Sequence, residues 1–226
     1  MKRICLLIAL TGVMASYQCW ALTVNITRDA GVYAQQPGGE FTVTLDPSDA
    51  GDPVFQSILS HYDASTIVNG GFETFCLSST TELLGNPQNA TLTPNGVTLG
   101  TAWLYSQFVN QTLAGYTWAP GAGRVASAWD LQNAIWELQG TPVYDLAAAA
   151  GYYNLAVAFF GGAANAELAA NGVYNIDAFV LTHNNADGRP EVSQPMLVAV
   201  PDGGATVMLL GLALSGFCFV SRKVRA

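Results

Sequence analysis

The segment between Leu22 and Val200 contains no lysine, and its positive charge is limited to three arginines. The same segment holds fifteen of the sixteen acidic residues of the chain, so its net charge is −12. A surface with so much negative charge repels the phosphates of DNA and RNA. Nucleic acid is therefore not expected as a partner, and a soluble domain is favoured. The three arginines are Arg28, Arg124 and Arg189.

Cysteine is nearly absent from the same segment. Of the four cysteines, Cys5 and Cys19 lie close to the N-terminus and Cys218 lies close to the C-terminus, which leaves Cys76 alone in the central part. Exported proteins normally pair their cysteines in disulfides. A single remaining cysteine is either buried and inert or has a chemical task. Both readings stay open at this point.

The common catalytic motifs are also missing. The sequence has no Gly-x-Ser-x-Gly, His-Glu-x-x-His, phosphate-loop or Cys-x-x-Cys pattern, and only two histidines, His61 and His183. Neither an enzyme nor a metal or cofactor is therefore expected. A secreted hydrolase remains an alternative, which would need a cleft that gathers one histidine with a carboxylate and a serine or threonine. The acidic loop 46–53 favours a solvated turn over a calcium site, because its spacing differs from that of an EF-hand loop.

The N-terminus has the three regions of a secretory signal peptide. Lys2 and Arg3 precede an apolar stretch, and a more polar segment follows that ends at Ala21. This order predicts export through the Sec machinery and removal of residues 1–21 by cleavage after Ala21.

The C-terminus, residues 198–226, has its own three-part order. A turn-forming motif comes first, residues 205–220 then carry no formal charge, and three basic residues follow. An apolar run with a basic end is typical of a transmembrane helix whose charged end stays in the cytoplasm. The motif is Val200, Pro201, Asp202, Gly203 and Gly204, and the basic residues are Arg222, Lys223 and Arg225.

This tail resembles the PEP-CTERM sorting signal that exosortase, a membrane peptidase-transferase, recognises. The resemblance implies an intermediate anchored in the inner membrane and a final place in the cell envelope, on the outer surface or outside the cell. Such tails are usually associated with exopolysaccharide and biofilm-type matrix. A structural or adhesive role in that matrix is therefore the expected function.

Residues 22–197 are predicted to form one exported α+β domain, with an antiparallel β-sheet or sandwich and an inserted helical subdomain. Alternating apolar residues predict strands at 22–27 and 41–45, and further strands are predicted at 72–77, 174–182 and 196–200. Residues 80–95 are polar and interrupted by proline, which predicts a loop. Helices are predicted at 101–113, 145–160 and 165–170, and at 128–139 after a capping box that begins at Ser127.

One pair of segments resembles the thioester domains of bacterial surface adhesins. Phe75-Cys76-Leu77 lies on a predicted strand, and Leu131-Gln132-Asn133-Ala134-Ile135-Trp136 lies on a predicted helix 56 residues later. In that family an aromatic-Cys-hydrophobic strand faces a Thr-Gln-x-Ala-hydrophobic-Trp helix, so Leu131 departs from the pattern. In such proteins the cysteine thiol attacks the side-chain amide of the glutamine, ammonia leaves, and an internal thioester bond forms. An amine on another surface later opens this bond, which attaches the protein covalently.

The resemblance implies a role for each matching residue. Cys76 would supply the thiol, Gln132 would be the acyl donor, and Phe75, Ala134, Ile135 and Trp136 would pack around the bond. The alternative is that Cys76 is a small buried hydrophobe, which is how free cysteines usually behave. A carbohydrate-binding module is a third possibility, in which an exposed Trp103, Trp118 or Trp129 stacks on a sugar.

Overall fold

The computed structural model describes residues 21–32, 38–93 and 96–201, and within this part the chain forms an α+β fold. The described strands are β1 (Ala21–Thr27), β2 (Phe41–Leu45), β3 (Ile67–Val68), β4 (Gly71–Thr74), β5 (Gln88–Thr93), β6 (Ile176–Asn184), β7 (Pro190–Val192) and β8 (Met196–Ala199). The described helices are α1 (Pro53–Leu59), α2 (Leu99–Val109), α3 (Ala122–Leu138), α4 (Leu146–Phe160) and α5 (Ala163–Ala166).

The strands form one antiparallel sheet in the order β3-β4-β2-β1-β5-β6-β7, and β8 pairs with β6. Met196 of β8 also forms an antiparallel bridge with Cys76, two residues beyond the end of β4. Because β8 joins both β6 and the continuation of β4, the sheet closes on itself through six strands. Cys76 lies at this closure, which we call the seam.

Hydrophobic alternation explains the strands that the sequence predicts. In β1 the side chains of Leu22, Val24 and Ile26 are buried, while those of Thr23 and Asn25 are half-buried. Successive side chains of a strand point to opposite faces, so this pattern places one face of β1 in the core. The predicted strands at 22–27 and 41–45 are confirmed, and β6 and β8 lie where the last two strands are predicted, with shifted ends.

The predicted loop at 80–95 is wrong in its second half. Residues 88–93 form β5, which lies in the middle of the sheet between β1 and β6. Its segment, Gln-Asn-Ala-Thr-Leu-Thr, has few of the side chains that favour strands. Pairing on both sides stabilises β5, and a pairing between distant segments leaves no local pattern. Residues 53–59, which begin at the last residue of the predicted acidic loop 46–53, form α1, a helix that the sequence analysis does not predict; Asp52 accepts hydrogen bonds from Val54 and Phe55 at its start.

The helices α2 to α5 are inserted between β5 and β6, as the predicted helical subdomain requires. Helix α3 begins at Ala122 rather than after Ser127, so the predicted capping box is wrong. The Ser127 hydroxyl instead accepts a hydrogen bond from the backbone of Thr117 at 3.1 Å. Helix α4 begins as predicted, with Asp145 accepting from Ala147 and Ala148. Helix α5 covers only the start of the predicted region.

The predicted signal peptide and tail helix lie almost entirely outside the described residues. Ala21 is the exception, since it is the first residue of β1 and pairs with Thr91. Cleavage after Ala21 would leave six residues of that strand. Within the described ranges, no helix combines the length and apolar character needed to cross a bilayer. Residues 202–226, with the predicted helix and its basic end, lie outside those ranges.

Candidate functional site

Cys76 lies where the closed sheet joins its two ends. Its neighbours bond to β8, because Leu197 N–H donates to the Phe75 carbonyl at 3.0 Å and Leu77 N–H donates to the Pro195 carbonyl at 2.9 Å. In an extended strand, backbone groups of successive residues point to opposite sides. The N–H and C=O of Cys76 therefore point away from β8, towards an edge that no strand of the described residues covers.

The side chain of Gln132, from the middle of α3, occupies this edge. Cys76 N–H donates to Gln132 Oε1 at 2.9 Å, and Gln132 Nε2 donates to the Cys76 carbonyl at 2.8 Å. Both residues are completely buried. The structure thus brings together the two residues that the sequence analysis selects, and the carboxamide lies against the backbone that carries the thiol. The thioester itself stays a prediction.

The four residues expected to pack around the bond are also completely buried: Phe75, Ala134, Ile135 and Trp136. The ring of Phe75 packs edge-on against Phe108, with 5.0 Å between centroids. The indole N–H of Trp136 has no hydrogen-bond partner among the described residues. These side chains keep water away from the seam.

Gly38 also packs against the site, a contact that the sequence analysis does not predict. A Cβ atom at position 38 would lie 2.7 Å from Gln132 Cγ and 2.7 Å from Trp136 Cη2. Real Cβ atoms do not approach other atoms so closely, so only glycine allows this contact without a shift. In the sequence Gly38 stands out only as part of the run Gln36-Pro37-Gly38-Gly39, whose composition is typical of a turn.

Burial dominates the electrostatics of the thiol. It raises the pKa of Cys76 far above its ordinary value, and the charge of Arg28 opposes this effect. A thiol reacts as its thiolate. Because the resting group is protonated, the proton must leave during any attack on the carboxamide.

A buried ionic cluster, which we call the Arg124 cluster, lies near the N-terminal end of α3. The guanidinium of Arg124 donates to both carboxylate oxygens of Glu40, with a closest distance of 2.7 Å. Tyr116 donates to the same carboxylate, and Arg124 also donates to the Trp118 and Ser65 carbonyls. Glu40 is two residues from Gly38, so the cluster fixes the segment that covers the seam.

Glu73 of β4 completes this cluster. One of its oxygens accepts from Thr42 at 2.6 Å, while Oε2 has no donor among the described residues. Burial and the nearby charge of Glu40 raise the pKa of Glu73 to about 8. Burial also raises the pKa of Glu40, and Arg124 opposes that shift.

The Arg124 cluster was not predicted as a site. Arg124 attracts attention in the sequence only as one of three cations in the acidic segment. Glu40 is 84 residues away, and no local pattern links the two. An arginine in so acidic a segment predicts a carboxylate partner. The sequence does not show which carboxylate is buried beside it.

The contacts of the two histidines do not form a hydrolytic site. His61 Nδ1 lies 2.9 Å from the Ser57 carbonyl and 3.3 Å from the Ser60 hydroxyl, and His183 Nδ1 lies 3.1 Å from the Pro87 carbonyl. Neither set includes a carboxylate.

The acidic loop uses its carboxylates within the protein. Asp46 caps a short 3-10 helix at Pro47–Asp49, Asp49 accepts from Thr23 N–H at 2.8 Å, and Asp52 caps α1. The described part of the chain contains no group of three or more potential metal ligands. The spacing of these acidic residues therefore follows from their hydrogen bonds to nearby backbone N–H groups, chiefly at helix starts.

The three tryptophans considered for sugar stacking are all half-buried. Trp103 stacks on Phe159 with 4.5 Å between ring centroids, Trp118 contacts Tyr116 at 4.6 Å, and Trp129 contacts Trp136 at 6.5 Å. At least one side of each ring thus meets another aromatic ring. A flat and open platform for a sugar is not seen at these positions.

Comparison with known proteins identifies the tail. Residues 199–224 match the VPDSG-CTERM motif. This match supports a PEP-CTERM-type sorting tail and an exported, surface-sorted protein, and it is consistent with processing by a sorting enzyme such as exosortase. No curated protein matches the chain, and no solved structure matches it. Of the matched residues, Ala199, Val200 and Pro201 lie in the described part and the others lie outside it.

Proposed function

We propose that this protein is an exported covalent adhesin that holds an internal thioester between Cys76 and Gln132. One observation carries the proposal: the Gln132 carboxamide makes two hydrogen bonds with the backbone of Cys76 inside a completely buried site. The two residues are 56 positions apart, so the closed sheet and α3 are both needed to bring them together.

The bond forms by attack of Cys76 Sγ on the Gln132 side-chain carbonyl carbon. The S–C bond forms, the C–N bond breaks, and ammonia leaves with the proton of the thiol. Proximity lowers the activation barrier of the reaction, because the two groups cannot diffuse apart. Cys76 N–H already donates to Oε1, so it can stabilise the negative charge that develops on that oxygen.

Burial preserves the product. A thioester survives in water only where packing excludes the solvent. Phe75, Ile135 and Trp136 are completely buried, and Gly38 lies against Gln132 and Trp136. The same packing that raises the pKa of the thiol therefore protects the acyl group.

An amine from another molecule opens the thioester. The amine nitrogen bonds to the acyl carbon of Gln132, and the Cys76 thiol is released. The absence of lysine between Leu22 and Val200 removes every side-chain amine that could consume the acyl group within the domain. The acceptor then comes from the surroundings, such as an amine on a surface or in a polysaccharide-rich matrix.

Export and sorting give this chemistry its location. The Sec machinery delivers the chain, the tail holds an intermediate in the inner membrane, and exosortase then processes the tail. The match of residues 199–224 supports the sorting step. The adhesive role in an exopolysaccharide or biofilm matrix is part of the proposal, as is the absence of enzymatic turnover.

Intact mass of the exported protein tests the thioester. The expected mass is lower by one ammonia than that of the processed chain, and methylamine should add one methylamine while it exposes a thiol. Cys76→Ala is the matched control, because the two hydrogen bonds use only the backbone of Cys76 and remain possible. That variant should keep the ammonia and ignore methylamine.

Two results would overturn the proposal. One is a wild-type chain with its full amide mass and a thiol that reacts stoichiometrically after unfolding. The other is an ammonia deficit that persists in Cys76→Ala, which would place the loss elsewhere.

A further inference from the structure

A row of aromatic rings lies on the outer side of the helical subdomain. Tyr174 contacts Phe160 at 6.5 Å, Phe160 contacts Trp103 at 6.5 Å, and Trp103 stacks on Phe159 at 4.5 Å between centroids. Phe159 is 56% exposed and Tyr174 is 37% exposed. We call Trp103, Phe159, Phe160 and Tyr174 the aromatic ridge. Leu168 and Val173, which lie between Phe160 and Tyr174 in the chain and which we call the flanking residues, are also exposed.

The backbone holds Tyr174 in an unusual conformation. Its φ is 67°, and Asn171 and Asn175 on either side have φ values of 50° and 57°. A bulky residue in the left-handed region costs roughly 1–2 kcal/mol. Burial in the core does not offset this cost, because Tyr174 remains exposed.

The ridge lies beside the point where the chain leaves the sheet for the tail. Val200 N–H donates to the Asn175 carbonyl at 2.8 Å, and Ala199 pairs with Ile176. Only Asp202, Gly203 and Gly204 separate Pro201 from the uncharged run that starts at Ala205. Four extended residue steps span at most about 14 Å. Any membrane that the run enters is thus within about 14 Å of Pro201.

We propose that the aromatic ridge docks on the lipid bilayer that the tail enters, at the level of the headgroups. Tryptophan and tyrosine concentrate at this depth, because their rings are apolar and their polar edges still reach water. The inference rests on the membrane-anchored intermediate proposed above and is independent of the thioester. Docking fixes the orientation of the exported domain while the Val200-Pro201 segment awaits the sorting enzyme.

Charge selects the kind of lipid surface. The ridge and its two flanking residues carry no charge, and the closest acidic residues along the chain are Glu167 and Asp177. With a net charge of −12 between Leu22 and Val200, attraction to anionic lipids is not available. Contact with a zwitterionic interface through apolar rings is therefore expected, with little dependence on salt.

Tryptophan fluorescence in nanodiscs tests the docking. The chain with its tail uncut is placed in discs of phosphatidylcholine, with or without bromine on the acyl chains close to the headgroup. Bromine should quench part of the emission, and Trp103→Phe, which keeps an aromatic ring, should lose most of that quenching. A Phe159→Ser and Tyr174→Ser double variant should weaken it as well, since both exposed rings are then gone.

The outcomes separate this inference from the anchoring on which it rests. A chain that stays with the discs after alkaline washing, but whose Trp103 is not quenched, overturns the docking and leaves the anchoring intact. A chain that does not stay with the discs overturns the anchoring itself. Two copies per disc that shield Trp103 from bromine would show that the ridge binds a second chain, which also overturns docking on lipid.

Discussion

Helix α3 is fixed to the sheet at two places that use opposite chemistry. At Arg124 the contact is ionic, with a buried guanidinium between Glu40 and two backbone carbonyls. At Gln132, eight residues later, the contact is neutral and joins a carboxamide to the backbone of Cys76. The ionic contact uses charges that must stay paired, whereas the neutral contact leaves the thiol of Cys76 uncommitted.

The difference shows how one helix can be both rigid and reactive. A buried charge that loses its partner is costly, so the Arg124 cluster is suited to hold α3 against β2 and β4. The Gln132 contact can exchange a hydrogen-bonded amide for a thioester without creating a buried charge. The turn of α3 that carries Arg124 thus fixes the helix on the sheet, and the turn that carries Gln132 supplies the reactive carboxamide.

Removing the cation of the Arg124 cluster should have the largest effect. Arg124→Leu leaves Glu40 and Glu73 buried without a positive partner, and breaking a buried pair costs roughly 3–5 kcal/mol. Urea unfolding of the exported domain measures this loss. Arg189→Leu removes an exposed arginine and should change the free energy of unfolding by less than about 0.5 kcal/mol. Equal effects of the two variants would show that Arg124 has no special role.

Raising the pH should weaken the Arg124 cluster gradually. The pKa of Glu73 is raised from 4.5 to about 8, so the folded state binds the proton more tightly than the unfolded state. Its contribution to stability is complete below pH 4.5 and is lost as the pH rises to about 8. The slope is at most about 1.4 kcal/mol per pH unit.

Glu73→Gln is the control for this pH effect. Glutamine is neutral at every pH and keeps a similar shape, so the decline between pH 5 and 8 should become smaller in the variant. Urea unfolding at several pH values provides the comparison. A wild-type decline no steeper than that of Glu73→Gln would contradict a raised pKa.

The neutral contact should respond more strongly to loss of the carboxamide than to loss of the thiol. Gln132→Ala leaves the buried N–H and C=O of Cys76 unpaired, at roughly 1–3 kcal/mol for each group. Cys76→Ala keeps both hydrogen bonds and should cost less. Unfolding is measured after methylamine treatment, so that no thioester contributes. A larger loss in Cys76→Ala would mean that packing of the sulfur dominates this contact.

The sequence predicts the outline of the fold because that outline is local. Alternation in β1 and the alanine-rich composition of α4 are visible in short windows, and the strand predicted at 22–27 and the helix predicted at 145–160 are confirmed. The strand β5 and the closure between Met196 and Cys76 are stabilised by pairing between distant segments. Such pairing leaves no periodic pattern in the segment itself.

The candidate site divides in the same way. Cys76 and Gln132 were selected by resemblance to a motif, and composition alone marked only Cys76 as unusual. Gly38 and Glu40 could not be selected, because each is defined by a contact with α3 that lies more than 80 residues away in the chain. Contacts of this kind depend on the assembled fold.

A methyl group at position 38 should have the smallest effect on stability. It should also show whether Gly38 shields the thioester from water or only supports the side chain of Gln132. The Cβ of Gly38→Ala would lie 2.7 Å from Gln132 Cγ and Trp136 Cη2, so these side chains must move. Such overpacking costs roughly 1–3 kcal/mol. Gly151→Ala is the control: no atom lies within 4 Å of its Cβ, and alanine in a helix should stabilise by about 0.5–1 kcal/mol.

If Gly38 covers the thioester, water should open the bond faster in Gly38→Ala than in wild type, seen in intact mass as one added water and a free thiol. An unchanged rate of hydrolysis, with the expected loss of stability, would show that Gly38 supports the Gln132 contact without sealing it.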